Sequence, residues 1–168
     1  YLYSAKFQKW PLIGNISIAF LAALSLLIIK FVAFEIPALL LLFYACFAFL
    51  ISLIREISKD IQDLEGDQRH KHNTAVVAWG LSTSKYLALV LSIFAFAAYF
   101  YTYKLWLAQH IFPDSLRQAN IYNLVFVGIP FFLLIGFIVK SKSSEEFGFV
   151  SSICKYLMYT GMLGMVFF

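Results

Sequence analysis

The sequence predicts an all-α, polytopic bundle of membrane-crossing helices, and three observations carry that prediction. Of the 168 residues, 62% are hydrophobic and only 13% are charged. A water-soluble domain carries roughly 25% charged residues, so this chain has too little polar surface to cover a core in water. The apolar residues also gather into five stretches, 11–29, 36–54, 86–103, 121–139 and 149–168. Each is close to the roughly 20 residues that a helix needs to cross a hydrocarbon layer of about 30 Å. Finally, the charged residues cluster between these stretches, most densely in a polar loop over 55–85. The bilayer is therefore the solvent, and the net charge of +4 gives no reason to expect a nucleic-acid partner.

Taken in order, the first stretch opens on Pro11 and the second on Pro37. Proline suits the first turn of a helix, where its missing N–H leaves no bond unmade. Pro130 lies inside the fourth stretch and predicts a kink, which neighbouring helices in a bundle can accommodate. Asn73 or Thr74 is a candidate N-cap for the third membrane helix. Tyr99, Tyr101, Tyr103 and Trp106 predict an aromatic belt at the interface farther from the loop. Cys46 and Cys154 fall in apolar surroundings without a CxxC or zinc-type spacing, so both read as small buried hydrophobes. The chain opens "YLYSAKFQKW", with neither Met nor a signal-peptide pattern, which is the look of a fragment.

Basic residues predict the orientation. Lys6, Lys9, Arg55, Lys59, Arg69, Lys71, Lys85, Lys140, Lys142 and Lys155 fall on one side, and only Lys30, Lys104 and Arg117 on the other. By the positive-inside rule the richer side is cytoplasmic, and with it the 55–85 loop. Glu35 beside Lys30 reads as an interfacial pair, and Asp114 with Arg117 as part of a short outer loop.

Within that loop, "REISKDIQDLEGDQRH" spaces Asp60, Asp63 and Asp67 at i, i+3 and i+7, with Glu56 one turn earlier. On a helix these carboxylates share one face and repel one another. Mg²⁺ relieves such repulsion, because it is a hard cation held by carboxylates together with phosphate oxygens. The competing reading is a solvated acidic loop balanced by Arg55, Lys59 and Arg69. Gly66 is a candidate for a tight turn beside the last acid. His70 and His72 form an HxH but lack a third ligand pattern, and they read as solvent-facing. The opening "YSAKFQKWPLIGN" places Tyr3, Lys6 and Lys9 on the cytoplasmic side, next to Asn15 inside the first helix. The lysines suit either a phosphate or ordinary interfacial anchoring. Asn15 suits either a site or a bond between helices.

"YSAKFQKWPLIGN", followed one helical hairpin later by "REISKDIQDLEGD", resembles the UbiA superfamily of intramembrane prenyltransferases. The likeness is closest to the branch containing digeranylgeranylglyceryl phosphate synthase. The resemblance implies a bundle of nine helices in which two Asp-rich motifs hold Mg²⁺ and the diphosphate of a polyprenyl donor. The donor's ionisation gives an allylic carbocation, which a lipophilic acceptor (geranylgeranylglyceryl phosphate, or an aromatic quinone precursor) attacks. It places Asp63 and Asp67 on the second motif, with Asp60 as an added metal ligand. Tyr3 joins Asp63 and Asp67 at the catalytic site, and Lys6, Lys9 and Asn15 fall at the diphosphate. The first motif, N-x-x-x-D, has no counterpart here, so the whole chain, 1–168, corresponds to the C-terminal half, and a missing N-terminal half is its implied partner. Gln8 stands where many relatives have lysine, which leaves the diphosphate-facing base open between Lys6 and Lys9.

Tyr44, Phe47 and Phe49 are candidates for lining a prenyl tunnel, or simply for packing. A CDP-alcohol phosphatidyltransferase also carries Asp-rich helices. Its D-x-x-D-G-x-x-A-R pattern fails here, because Leu64 follows Asp63. The remaining alternative is an inactive fragment or a non-enzymatic, cation-binding membrane partner. A transporter would be expected to carry its acids at mid-membrane.

Overall fold

The computed structural model describes residues 11–32, 34, 36–70, 72–108 and 120–164, with only the backbone for 105–108. Helix is the only regular structure among them. Helix α1, Ile13–Ile28, ends in a 3₁₀ turn, Ile29–Phe31. Then come α2, Ala38–Gln62, two short helices, α3, Leu64–Arg69, and α4, Ala75–Trp79, and the long α5, Leu81–Ala108. Helix α6 covers Asn120–Lys140 and α7 covers Glu146–Gly164.

Among the described residues, four helices are long and apolar enough to cross a membrane: Ile13–Phe31, Ala38–Gln62, Leu81–Lys104 and Asn120–Lys140. The fifth predicted span coincides with α7, which carries Glu146 and Lys155 and is not one of the four. The last predicted residues of that span, 165–168, lie outside the described residues. Large side chains such as Phe20, Leu21, Phe94 and Phe132 stand exposed on the outer faces. That much apolar surface suits lipid and would be a liability in water.

Helix α2 is the centre, packed against α1, α5 and α7. Its Phe47, Ile51, Ile54, Ile57 and Ile61 recur every three or four residues and are buried. The same spacing buries Val127, Phe131, Leu134 and Ile138 on α6, and Phe147, Val150, Cys154 and Leu157 on α7. These three stripes form one core. The stripe on α2 explains the largest departure from the sequence reading. Ile57 and Ile61 extend it past residue 54, so the helix continues for two more turns into what charge had marked as loop.

Around Pro130 the helix departs from regular α geometry. The six residues Asn123–Gly128 adopt a wider π turn, and the regular α-helix resumes at Ile129. The Ile129 N–H reaches back to the Leu124 carbonyl, so the π turn absorbs the bond pattern that proline disturbs. Two sequence expectations change here. Tyr99 is buried in the core, donating to Asn123 Oδ1 at 3.1 Å and stacking on Tyr103, while Tyr101 remains exposed at the surface. The Trp106 side chain lies outside the described residues. Cys46 is exposed rather than buried, whereas Cys154 is buried as expected.

Side chains satisfy some of the backbone groups near helix ends. Lys85 donates to the carbonyls of Val139 at 3.0 Å and Ser141 at 2.6 Å, closing the end of α6. Glu146 accepts the N–H groups of Lys142 and Ser143, which holds its carboxyl below the usual carboxylate range. Lys30 donates to the carbonyls of Phe34 and Ile36 at the α1–α2 turn. Its predicted partner Glu35 lies outside the described residues, as do Lys71, Asp114 and Arg117.

Candidate functional site

The acids gather where α2 outruns the apolar core. Asp60 stands in the last turn of α2, and the helix stops at Asp63, whose φ of −90° and ψ of 9° leave helical geometry. Helix α3 then restarts at Leu64 and ends at His70. Asp60, Asp63 and Asp67 therefore do not form one continuous helical stripe. Asp63 N–H still bonds to the Lys59 carbonyl at 2.9 Å, and Asp67 N–H to the Asp63 carbonyl at 3.0 Å, so the break is a tight joint. Gly66 is not the turn residue. It sits inside α3 without a positive φ.

The joint keeps the acids in one neighbourhood. Asp67, Glu56 and Asp63 all lie within electrostatic range of Asp60. Asp60 is half-buried and accepts a 2.8 Å hydrogen bond from Asn15 Nδ2 on α1. Glu56 is buried and pairs with its neighbour Arg55. Asp67 Oδ1 lies 3.3 Å from His72 Nδ1, a contact that sequence reasoning missed by treating the histidine as free. His72 and His70 are exposed, as expected. Tyr3, Lys6 and Lys9 lie outside the described residues.

Thr74 takes the N-cap position of the short helix α4 rather than of the membrane helix, and its side chain makes no capping hydrogen bond; α4 ends at Gly80, with φ 84°. That conformation favours glycine, and it lets α5 start at Leu81 in a new direction.

Among the described residues, no three His, Cys, Asp or Glu side chains are placed to hold a metal ion together. That arrangement does not make a protein-only cage, but Mg²⁺ seldom uses one. It keeps several waters and takes one or two carboxylates plus substrate phosphates. The half-buried Asp60 and its acidic neighbours supply an all-oxygen donor set of that kind, so the residues fit the ion.

Away from the acids, an apolar cleft of about 320 Å³ opens between α2 and α5. Leu42, Phe43, Cys46, Phe47, Ala95 and Tyr99 are among its walls. Cys46 lies about 20 Å along α2 from Asp60, at roughly 1.5 Å of rise per residue. Of the three aromatics expected to line a tunnel, Phe47 does line the cleft, and Tyr44 and Phe49 pack in the core.

Comparison with known proteins finds relatives along nearly the whole chain. A digeranylgeranylglyceryl phosphate synthase of Methanobrevibacter smithii is 31% identical over 97% of this chain and 53% of its own length. The chain is homologous to the digeranylgeranylglyceryl phosphate synthases of the UbiA family. A second such synthase, from Korarchaeum cryptofilum, is 28% identical over 99% of the chain and 56% of its own length. One from Methanothermobacter thermautotrophicus is 38% identical over 51% of the chain and 30% of its length. The chain thus spans about half the length of the curated UbiA relatives that it matches end to end. No protein-family profile matches it. No solved structure matches it either.

Proposed function

We propose that this chain is the half of a magnesium-dependent intramembrane prenyltransferase that carries its second acid-rich motif. The enzyme moves a polyprenyl group from a polyprenyl diphosphate to a lipophilic acceptor within the membrane. The observation that carries this reading is the acid cluster at the polar end of α2, in a chain homologous to membrane prenyltransferases along nearly its whole length. The name shared by the relatives favours geranylgeranylglyceryl phosphate as acceptor over an aromatic quinone precursor.

Asp63 and Asp67 hold Mg²⁺ on this reading, with Asp60 as a further ligand and Lys6 or Lys9 adding positive charge near the diphosphate. Bound Mg²⁺ supplies charge that stabilises the diphosphate as it leaves. The allylic C–O bond breaks with its electron pair going to the diphosphate. The acceptor hydroxyl oxygen then bonds to the allylic carbon, and its proton passes to the released diphosphate. The cleft between α2 and α5 is apolar and suits the prenyl chain, because none of the described residues that line it is charged. The acids face the cytoplasm, where a soluble Mg²⁺ and a diphosphate leaving group are both accessible.

The test is transfer from a labelled polyprenyl diphosphate to geranylgeranylglyceryl phosphate by the full-length protein in membranes. Product should form only when Mg²⁺ is present. Transfer that is unchanged by chelation, or no transfer to either class of acceptor, overturns the reading.

A further inference from the structure

Asn15 opens the first turn of α1, and its side-chain amide reaches across to Asp60, 45 residues away in sequence. An ionised carboxylate can only accept, so the NH₂ end of the amide must face it. Leu12, at the N-cap, has φ 74° and is the only non-glycine with positive φ among the described residues. A bulky residue in that region costs on the order of 1–3 kcal/mol and persists only where its surroundings enforce it. Leu12 packs against the main core, and its carbonyl accepts the Ile16 N–H at 2.9 Å.

The choice of partner is informative. Asp60 has acids around it and no ion pair among the described residues. A lysine in place of Asn15 would neutralise the carboxylate, whereas a neutral amide orients it and leaves its charge intact. The hydrogen bond engages Oδ2 and, among the described residues, leaves Oδ1 without a hydrogen bond. Carboxylates that bind metals are commonly held by outer partners in this manner.

We propose that Asn15 is a positioning residue, fixing Asp60 through Oδ2 and reserving Oδ1 and the full negative charge for a divalent cation. This assigns Asn15 a role other than direct contact with diphosphate, and it rests on the magnesium reading above. The probe is Mn²⁺, with binding followed by electron paramagnetic resonance on the full-length protein in nanodiscs, without turnover. Asn15→Ala should weaken Mn²⁺ binding by about 10-fold, the low end of what loss of an outer partner costs. The half-saturating Mg²⁺ for transfer should rise by a similar factor, with donor KM at saturating metal unchanged. Asn15→Gln, which keeps the amide, should recover part of the loss. If Asn15→Ala does not fold, the nearly isosteric Asn15→Leu takes its place.

Normal Mn²⁺ affinity with a raised donor KM would overturn the proposal in favour of a direct diphosphate contact. Normal Mn²⁺ affinity with a lowered melting temperature would reduce the bond to a tie between helices. Both outcomes leave the magnesium reading standing. Absence of Mn²⁺ binding by the unmodified protein, with Asp63→Asn also without effect, would instead sink that reading and this proposal with it.

Discussion

Single residues here do work that their sequence neighbourhood does not announce. Lys85 counts, by sequence, as one more cytoplasmic cation, yet its ammonium bridges two carbonyls more than fifty residues away at the end of α6. The last carbonyls of a helix have no partner of their own, so a cation there is well used. Lys85→Met keeps the length of the side chain and removes the donors. Because the contact is only part-buried, the expected loss is about 1 kcal/mol, read as a lowered unfolding midpoint in detergent. An unchanged midpoint would mean that water replaces the lysine at no cost. Lys71→Ala, which matches no motif position, serves as the neutral comparison.

Elements were legible from the sequence where hydrophobic periodicity dominates, and least legible where charge and core pattern compete. The apolar stretches at 11–29, 36–54, 86–103 and 121–139 each correspond to a helix able to span a membrane. The polar extension of α2 was hidden because Arg55, Glu56, Lys59 and Asp60 look like a loop, although Ile57 and Ile61 continue the buried stripe. The stop at Asp63 had no glycine or proline to mark it, and the obvious candidate, Gly66, turned out helical. The Asn15–Asp60 bond depends on how α1 docks against α2, a tertiary register that no local pattern encodes.

The packing of α7 on α2 gives a prediction at the same scale. A side chain at Gly161 would begin 3.3 Å from the Phe47 ring. That ring is itself held between Tyr99 and Phe131, with centroids 5.6 and 5.9 Å away, and has little room to yield. Gly161→Leu should therefore destabilise the bundle by about 1–3 kcal/mol, the usual cost of overpacking, measured by thermal unfolding in detergent. A neutral result would show that α7 can slide away from α2.

At the scale of the whole molecule, ten basic residues on one side against three on the other predict a cytoplasmic position for the acid-rich end of α2. A cysteine introduced at Gln68, in a background with Cys46 and Cys154 replaced, should react with an impermeant thiol reagent only after the cells are opened. Reaction in intact cells would invert the topology. The central claim is chemical: that the acids at this end hold the metal against a donor diphosphate. Its most direct measurement is the transfer of a labelled polyprenyl group by the full-length protein, across a Mg²⁺ titration, with Asp63→Asn and Asp67→Asn beside the unmodified sequence. Each substitution keeps the size of the side chain and removes one anionic ligand. Loss of several kcal/mol of transition-state stabilisation corresponds to a fall in rate on the order of 100-fold or more, with the fold intact. If both variants keep normal rates and normal Mg²⁺ dependence, the acids are a solvated joint between helices and the account is wrong.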